Sequence, residues 1–185
     1  MLRKVGALSW SIRDAPHHPM GMVDFVIRDS EAADYDAIME LNAAEVQKTS
    51  PMDRPRLELL AGLSSYHKVA VVAGEVAAFL LAIRHGADYD NVNYNWFTSR
   101  FSTFLYIDRI VVGPQFGGLG IGRAMYTDLF SYARLHSLGH VTCEYNLDPP
   151  NLVSKAFHSK FGFQEFGSQW VAGGSKRVSF QVATA

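Results

Sequence analysis

The chain has 185 residues, 48% of them hydrophobic, enough to bury one good core in a single domain. Its 17 basic and 18 acidic residues nearly cancel, which argues against nucleic-acid binding through bulk charge. The single Cys143 excludes an internal disulfide or a multi-cysteine metal site and fits a reducing cytoplasm, and no apolar run approaches the ~20 residues of a membrane span.

Residues 1–21 read as a loosely ordered extension. Arg3, Lys4 and an apolar patch through Trp10 are cut short by Arg13, Asp14 and His17-His18-Pro19, so no signal-type apolar region develops. One domain is expected over 22–185. Val23 to Ile27 is β-branched and aromatic, as a strand requires. Asp29 or Ser30 would then cap a helix reaching about Val46, with Ala33, Ala37, Ile38, Leu41 and Ala44 at helical spacing. Ser50-Pro51 breaks it, and Pro55 opens a second helix through Leu63.

The period changes after His67. Lys68 to Ala73 and Glu75 to Ile83 flank Gly74 as a tight antiparallel hairpin. The polar, aromatic stretch from His85 to Phe97 has two readings, a substrate-contacting segment or a surface loop pinned by its own aromatics. Phe101 to Val112 reads as the central strand, Leu119 to about His136 as a helix, and His140 to Tyr145 as the next strand. After the rigid Asp148-Pro149-Pro150 turn, Asn151 caps an amphipathic helix through Phe161, which Gly162 ends. Phe163 to Phe166 and Lys176 to Val182 close the chain as strands around Gly173-Gly174. The order β-α-α-β-β-β-α-β-α-β-β describes a mixed sheet with helices packed on it.

Gly117, Gly118, Gly120 and Gly122 lie between a strand and a helix start, where unpaired N–H groups and the positive dipole end attract phosphate. A Walker loop fails, because Arg123-Ala124 follows Gly122 where Lys-Ser/Thr is needed. A dinucleotide fingerprint fits poorly: Arg123 and Met125 stand where its third glycine belongs, although Glu144 would suit a ribose partner. The scattered histidines show no metal-ligand spacing, and Cys143, mid-strand, reads as a core thiol.

Val112-Gly-Pro-Gln-Phe-Gly-Gly-Leu-Gly-Ile-Gly122 resembles the V-x-P-x-x-R-G-x-G-I-G segment of the GNAT superfamily, the N-acetyltransferases that use acetyl-coenzyme A. Asn151 to Phe163 resembles that family's later N-x-x-A-x-x-x-Y-x-x-x-G-F helix, with Asn151, Gly162 and Phe163 in register. The resemblance covers nearly everything from Met22 onward. It implies an α/β (α+β) acyl-CoA N-acyltransferase fold, a mixed, mostly antiparallel sheet of about seven strands flanked by about four helices. It also implies acetyl transfer from acetyl-coenzyme A to a primary amine of a small molecule or peptide, without a metal, a membrane or nucleic acid.

Carried over position by position, the resemblance gives the pantetheine arm to the backbone of Ile110, Val111 and Val112. It gives the pyrophosphate and its surroundings to Gln115, Gly117, Gly118, Gly120, Ile121, Gly122, Arg123, Asn151, Ser154 and His158. Three positions depart from the pattern: Gly117 for Arg or Gln, Ser154 for Ala and His158 for Tyr. Gln115 fits a shorter register of the glycine string.

Asp108 interrupts an apolar strand near where relatives carry a Glu, and is the candidate base; burial would raise its pKa. The alternative is an ion pair at the sheet surface, although strand alternation should keep Arg109 on the other face. His158 is the candidate acid, with Tyr145 as the fallback donor; the alternative is a packed helix histidine. Asn42, Glu45, Tyr89, Asp90, Tyr94 and Trp96 fall where the fold walls the acceptor, and suit a small cationic amine or an amino-group-bearing metabolite, while the neutral overall charge fits a small molecule no better than a protein N-terminus. Dimers are common among similar proteins, and strands after Phe163 could pair between subunits. A non-catalytic acyl-coenzyme A-binding module and a nucleotide-binding regulatory domain are the competing readings.

Overall fold

In the computed structural model, residues 24–46 and 49–185 are described; the extension expected at 1–21, with its His17-His18 pair, lies outside the described residues. The first strand, β1, runs Phe25–Asp29; Val23, its expected start, lies outside the described residues. Neither Asp29 nor Ser30 caps the first helical segment. Glu31 does so, in a capping box closed by Asp34 at the head of a short 3-10 turn, and α1 runs Tyr35–Ala44. Asp34 also takes two hydrogen bonds of 2.7 Å from Arg28, which ties this helix entry to β1. In α2 (Arg54–Leu63), Asp53 accepts from the Arg56 amide and Pro55 sits in the first turn, where its missing N–H costs nothing.

β2 (Tyr66–Val72) and β3 (Glu75–Arg84) form the expected hairpin, turning on Ala73 and Gly74, both at positive φ. The segment after β3 is more ordered than a loop. Asn91 accepts from the Asn93 and Tyr94 amides and starts a helix, α3 (Val92–Thr98), ahead of β4 (Leu105–Val112). Then come α4 (Ile121–Leu135), β5 (His140–Asp148) and α5 (Leu152–Ser159), capped by the Asn151 carboxamide on the Ser154 amide. β6 (Gln164–Val171) and β7 (Lys176–Thr184) close the chain.

The seven strands form one sheet in the order β1-β2-β3-β4-β5-β7-β6. Every pair is antiparallel except β4 with β5, so the sheet is mixed and mostly antiparallel, with five α-helices among the described residues where about four were expected. Strand alternation divides the core. Leu105, Ile107 and Cys143 face α4 and α5 with Met125, Tyr126 and Phe163; Tyr106, Val111 and Phe180 face α1, α2 and α3 with Ile38, Leu57 and Phe97.

Two local breaks in that regularity place the site. β4 and β5 pair only at Leu105–Val141 and Tyr106–Thr142 and then separate, so β4 from Ile107 onward has no partner on that side. β4 also carries a bulge against β3: Arg109 lies opposite Leu81 and Ile107 opposite Ala82, leaving Asp108 as the extra residue. The bulge turns Asp108 and Arg109 to the same face, against the expected alternation. It also shifts the parity, which is why Tyr106 and Val111, five apart, share one core.

Candidate active site

The parted strands open a cleft of ≈520 Å³ that passes through the sheet. Its floor is β4 from Tyr106 to Val112 and β5 from Cys143 to Asn146. One side is closed by Gly122 and Tyr126 of α4 with Asn151, Ser154 and His158 at α5, and the other by Glu45, Arg56, Tyr89 and Asn93. Lys176 and Val178 of β7 line the remaining wall.

Ile110, Val111 and Val112 line the cleft, with their strand edge unpaired, as an extended ligand arm would require. At the helix start, Gly118 and Gly120 adopt φ of +81° and +78° with open space where a side chain would be. The first bond of α4 is the Ala124 amide on the Gly120 carbonyl, so the preceding first-turn N–H groups of Ile121 to Arg123 lie at the bare dipole end. A pyrophosphate and its pantetheine arm fit this arrangement of amides and strand edge. Gly120 and Arg123 line a separate shallow depression with Ile27, Ala124 and Thr127, and neither lines the cleft. Gly117 and Gly118 lie on the connecting turn, and the Ile121 side chain is buried, so only its amide could serve a ligand. Gln115 reaches Glu75 at 3.5 Å, outside the cleft.

Asp108 lies in the cleft with both oxygens engaged. Arg109 Nε donates to Oδ2 at 2.7 Å and the Tyr89 hydroxyl donates to Oδ1 at 2.5 Å. The side chains of the pair are only 3% and 4% exposed, so this is a buried ion pair made possible by the bulge. Arg109 in turn donates to the Asn42 carboxamide oxygen at 2.9 Å.

Glu144 is the carboxyl that the sequence reading considered only as a ribose partner. One oxygen accepts from Asn93 Nδ2 at 2.7 Å and from the Tyr106 hydroxyl at 3.0 Å, while Oε2 is buried without a partner among the described residues. Burial pushes its pKa up to about 7, with the Asp108 charge adding to the effect and the two hydrogen bonds opposing it. An acid in the otherwise uncharged Val141-Thr-Cys-Glu-Tyr145 run was the available signal.

His158 is buried and held at both nitrogens. Nδ1 lies 2.7 Å from the Ser154 carbonyl oxygen, which can only accept, so Nδ1 carries the hydrogen; Ser154 Oγ is 3.1 Å away. Nε2 then accepts from the Tyr126 hydroxyl at 2.8 Å. Burial lowers the imidazole pKa and favours this neutral form. The Tyr145 ring lies tilted to the imidazole with centroids 6.0 Å apart, and its hydroxyl oxygen lies 3.4 Å from Gln181 Nε2. Burial raises the Tyr145 pKa, so the phenol keeps its proton.

Of the six acceptor candidates, Glu45 and Tyr89 line the cleft and four do not. Asn42 is buried behind Arg109, donating to the Ser50 carbonyl. Tyr94 is buried, with its hydroxyl donating to the Arg84 carbonyl. Trp96 stacks on Phe180 at 4.2 Å, and Asp90 is exposed outside the cleft. The sequence reading missed Arg56, Asn93, Tyr106 and Lys176, whose contribution depends on elements far apart in the chain.

The model of the acetyltransferase (GNAT) family matches residues 34–163. Comparison with curated proteins gives no sequence match. Among solved structures, ribosomal-protein-S18-alanine N-acetyltransferase from Escherichia coli superposes with a TM-score of 0.67 at 15% identity, over 87% of this chain and 94% of that one. Ard1 from Thermoplasma volcanium gives a TM-score of 0.70 at 17% identity, over 87% and 97%. The yncA protein of Salmonella typhimurium, solved with its cofactor acetyl-CoA, gives 0.66 at 19% identity, over 87% and 94%. At these identities the likeness bears on the fold. No helix among the described residues is long and apolar enough to cross a membrane.

Proposed function

The chain belongs to the acetyltransferase (GNAT) family, and from that premise we propose that it acetylates a primary amine of a small molecule, with Glu144 as the base and Tyr145 as the acid. Acetyl-coenzyme A supplies the thioester whose C–S bond breaks as the C–N bond forms. The observation that carries the reading is the free, buried Oε2 of Glu144 at the opening between β4 and β5.

Successive residues of a strand face opposite ways. Glu144 therefore meets the acceptor face with Asn93 and Tyr106, while Tyr145 meets the α5 face beside His158. A base and an acid on opposite faces match a reaction in which the amine enters from one side and the thiol leaves from the other. An ammonium gives up two protons per turnover. One passes through Glu144 to solvent, and the other balances the proton that Tyr145 delivers to the departing sulfur. A pKa near 7 leaves Glu144 substantially ionised at neutral pH yet basic enough to take a proton. Asp108, committed to Arg109 and Tyr89, then positions the acceptor wall, and His158 orders Tyr126 and the start of α5. The unpaired edge of Ile110 to Val112 and the amides after Gly120 hold the donor.

A second reading, a non-catalytic acyl-coenzyme A-binding module, draws on His158 having both nitrogens engaged and on Gly117 lacking a side chain. Calorimetry with acetyl-coenzyme A and a thiol-release assay over an amine panel separate the two. Binding with turnover of at least one amine, lost in Glu144→Gln, supports the transferase. Tight binding with no turnover above hydrolysis supports the module.

A further inference from the structure

Two cations line the acceptor half of the cleft, and neither has an ion pair among the described residues. Arg56 comes from α2 and Lys176 from the start of β7. Lys176 shares its strand face with Val178, which packs into the core beneath α1, α2 and α3. Both cations are therefore on the side of the sheet that Glu144 and Asp108 face. Arg56 is also held in place: Nη2 donates to the Tyr89 hydroxyl at 3.0 Å, and the guanidinium lies over the Tyr89 ring at 5.4 Å. Tyr89 is itself fixed by its bond to Asp108. The rest of the Arg56 fork has no hydrogen-bond partner among the described residues, and it faces the cleft.

The carboxylates of this half are poorly placed to hold a cationic amine by charge. Arg109 neutralises Asp108, and Glu144 spends its charge on the transferred proton. Glu45, at the end of α1, is the remaining acid on the wall. An immobilised planar fork with a second cation across the cleft is an anion clamp, since a guanidinium matches a carboxylate with two parallel hydrogen bonds.

Resting on the acetyl-transfer reading above, we propose that the acceptor is an amine that also carries a carboxylate, of the amino-acid type. Arg56 binds the carboxylate, Lys176 adds to the local positive field, and the amine is left directed at Glu144. The transfer chemistry is unchanged; Arg56 and Lys176 determine which amines reach it.

The test compares matched acceptors in a thiol-release assay: amino acids, their carboxamides, and the corresponding decarboxylated amines. The carboxylate forms should exceed the others in kcat/KM by roughly 10- to 100-fold, the scale of a hydrogen bond to a charged group. Arg56→Gln should collapse that ratio toward one, mainly through KM; Arg56→Lys should restore part of it, and Lys176→Gln should lower it less. Equal or better turnover of carboxamides or decarboxylated amines overturns the proposal, as does an unchanged ratio in Arg56→Gln. If no amine is turned over, the acetyl-transfer reading fails on its own, and the clamp is read by binding. Calorimetry on the coenzyme A-loaded protein would then compare N-acetyl amino acids with N-acetyl amino acid amides. A carboxylate preference lost in Arg56→Gln, with coenzyme A affinity retained, supports the clamp; equal binding of the two overturns it.

Discussion

Arg109 Nε lies 2.7 Å from Asp108 Oδ2, although the two are consecutive residues of one strand. Regular alternation forbids that contact; the bulge opposite Leu81 creates it. Both side chains are almost fully buried, so removing one charge strands the other. Asp108→Asn should therefore cost about 3 kcal/mol in urea unfolding, as breaking a buried pair does. The variant should also keep the acidic limb of the pH–rate profile, since on the present reading that limb belongs to Glu144. A stable Asp108→Asn enzyme that loses the limb would return the base role to Asp108.

Glu144 and His67 make opposing contributions to stability over nearly the same pH range. Burial raises Glu144 from 4.5 to about 7, so the folded state holds a proton that the unfolded state has released. Stability from this group is full below pH 4.5 and falls by roughly 3 kcal/mol by pH 7. Burial lowers His67 from 6.5 to about 4, and its Nε2 has no hydrogen-bond partner among the described residues, so the unfolded state binds the extra proton. Stability from His67 is full above pH 6.5 and falls by a similar amount toward pH 4. Burial of His158 acts in the same direction as His67. Glu144→Gln should accordingly show stability climbing steeply between pH 4 and 6.5, where the parent is nearly level. Its kcat should drop by about 10²- to 10⁴-fold, as loss of a general base does. Denaturant midpoints across the range measure the first effect and thiol release the second.

How far the sequence was legible depends on the range of each signal. The helices at α1, α2, α4 and α5, the hairpin at Ala73-Gly74 and the glycine turn rest on residues close together in the chain, and all are present. The α3 helix escaped notice because Asn91 looks like one more polar loop residue until its side chain is seen capping the Asn93 and Tyr94 amides. The Asp108 bulge and the β4–β5 separation are relations between strands, and no local pattern encodes them. Glu144 depends on the second of these: its environment is made by Tyr106 on β4 and Asn93 on α3, 38 and 51 residues away. Glycine spacing thus located the donor end, while the acceptor end depended on tertiary pairing.

Trp96 occupies a space that only a glycine leaves open. A Cβ on Gly167 would sit 2.7 Å from Trp96 Cζ2, closer than side chains approach. The indole has little room to move, stacked on Phe180 at 4.2 Å and with the Arg100 guanidinium 3.9 Å from its ring centre. Gly167→Ala should cost about 1–3 kcal/mol through overpacking and change the tryptophan emission. An unchanged melting curve and spectrum would mean that the indole turns aside easily.

Gly120 and Gly162 allow conformational cost to be separated from ligand contact. They sit at φ of +78° and +77°, and both have open space where a Cβ would go, so alanine costs each only the left-handed backbone, about 1–2 kcal/mol. The two differ in place. Gly120 precedes α4 and its unpaired first-turn amides, whereas Gly162 follows α5 and does not line the cleft. Gly120→Ala and Gly162→Ala should thus lose similar stability in urea. Only Gly120→Ala should weaken acetyl-coenzyme A binding, because its methyl group would enter the open space beside the first-turn amides where the pyrophosphate is proposed to sit; each 1.4 kcal/mol of such crowding costs about tenfold. Equal affinities in the two variants, measured by calorimetry, would remove the glycine turn from the donor site.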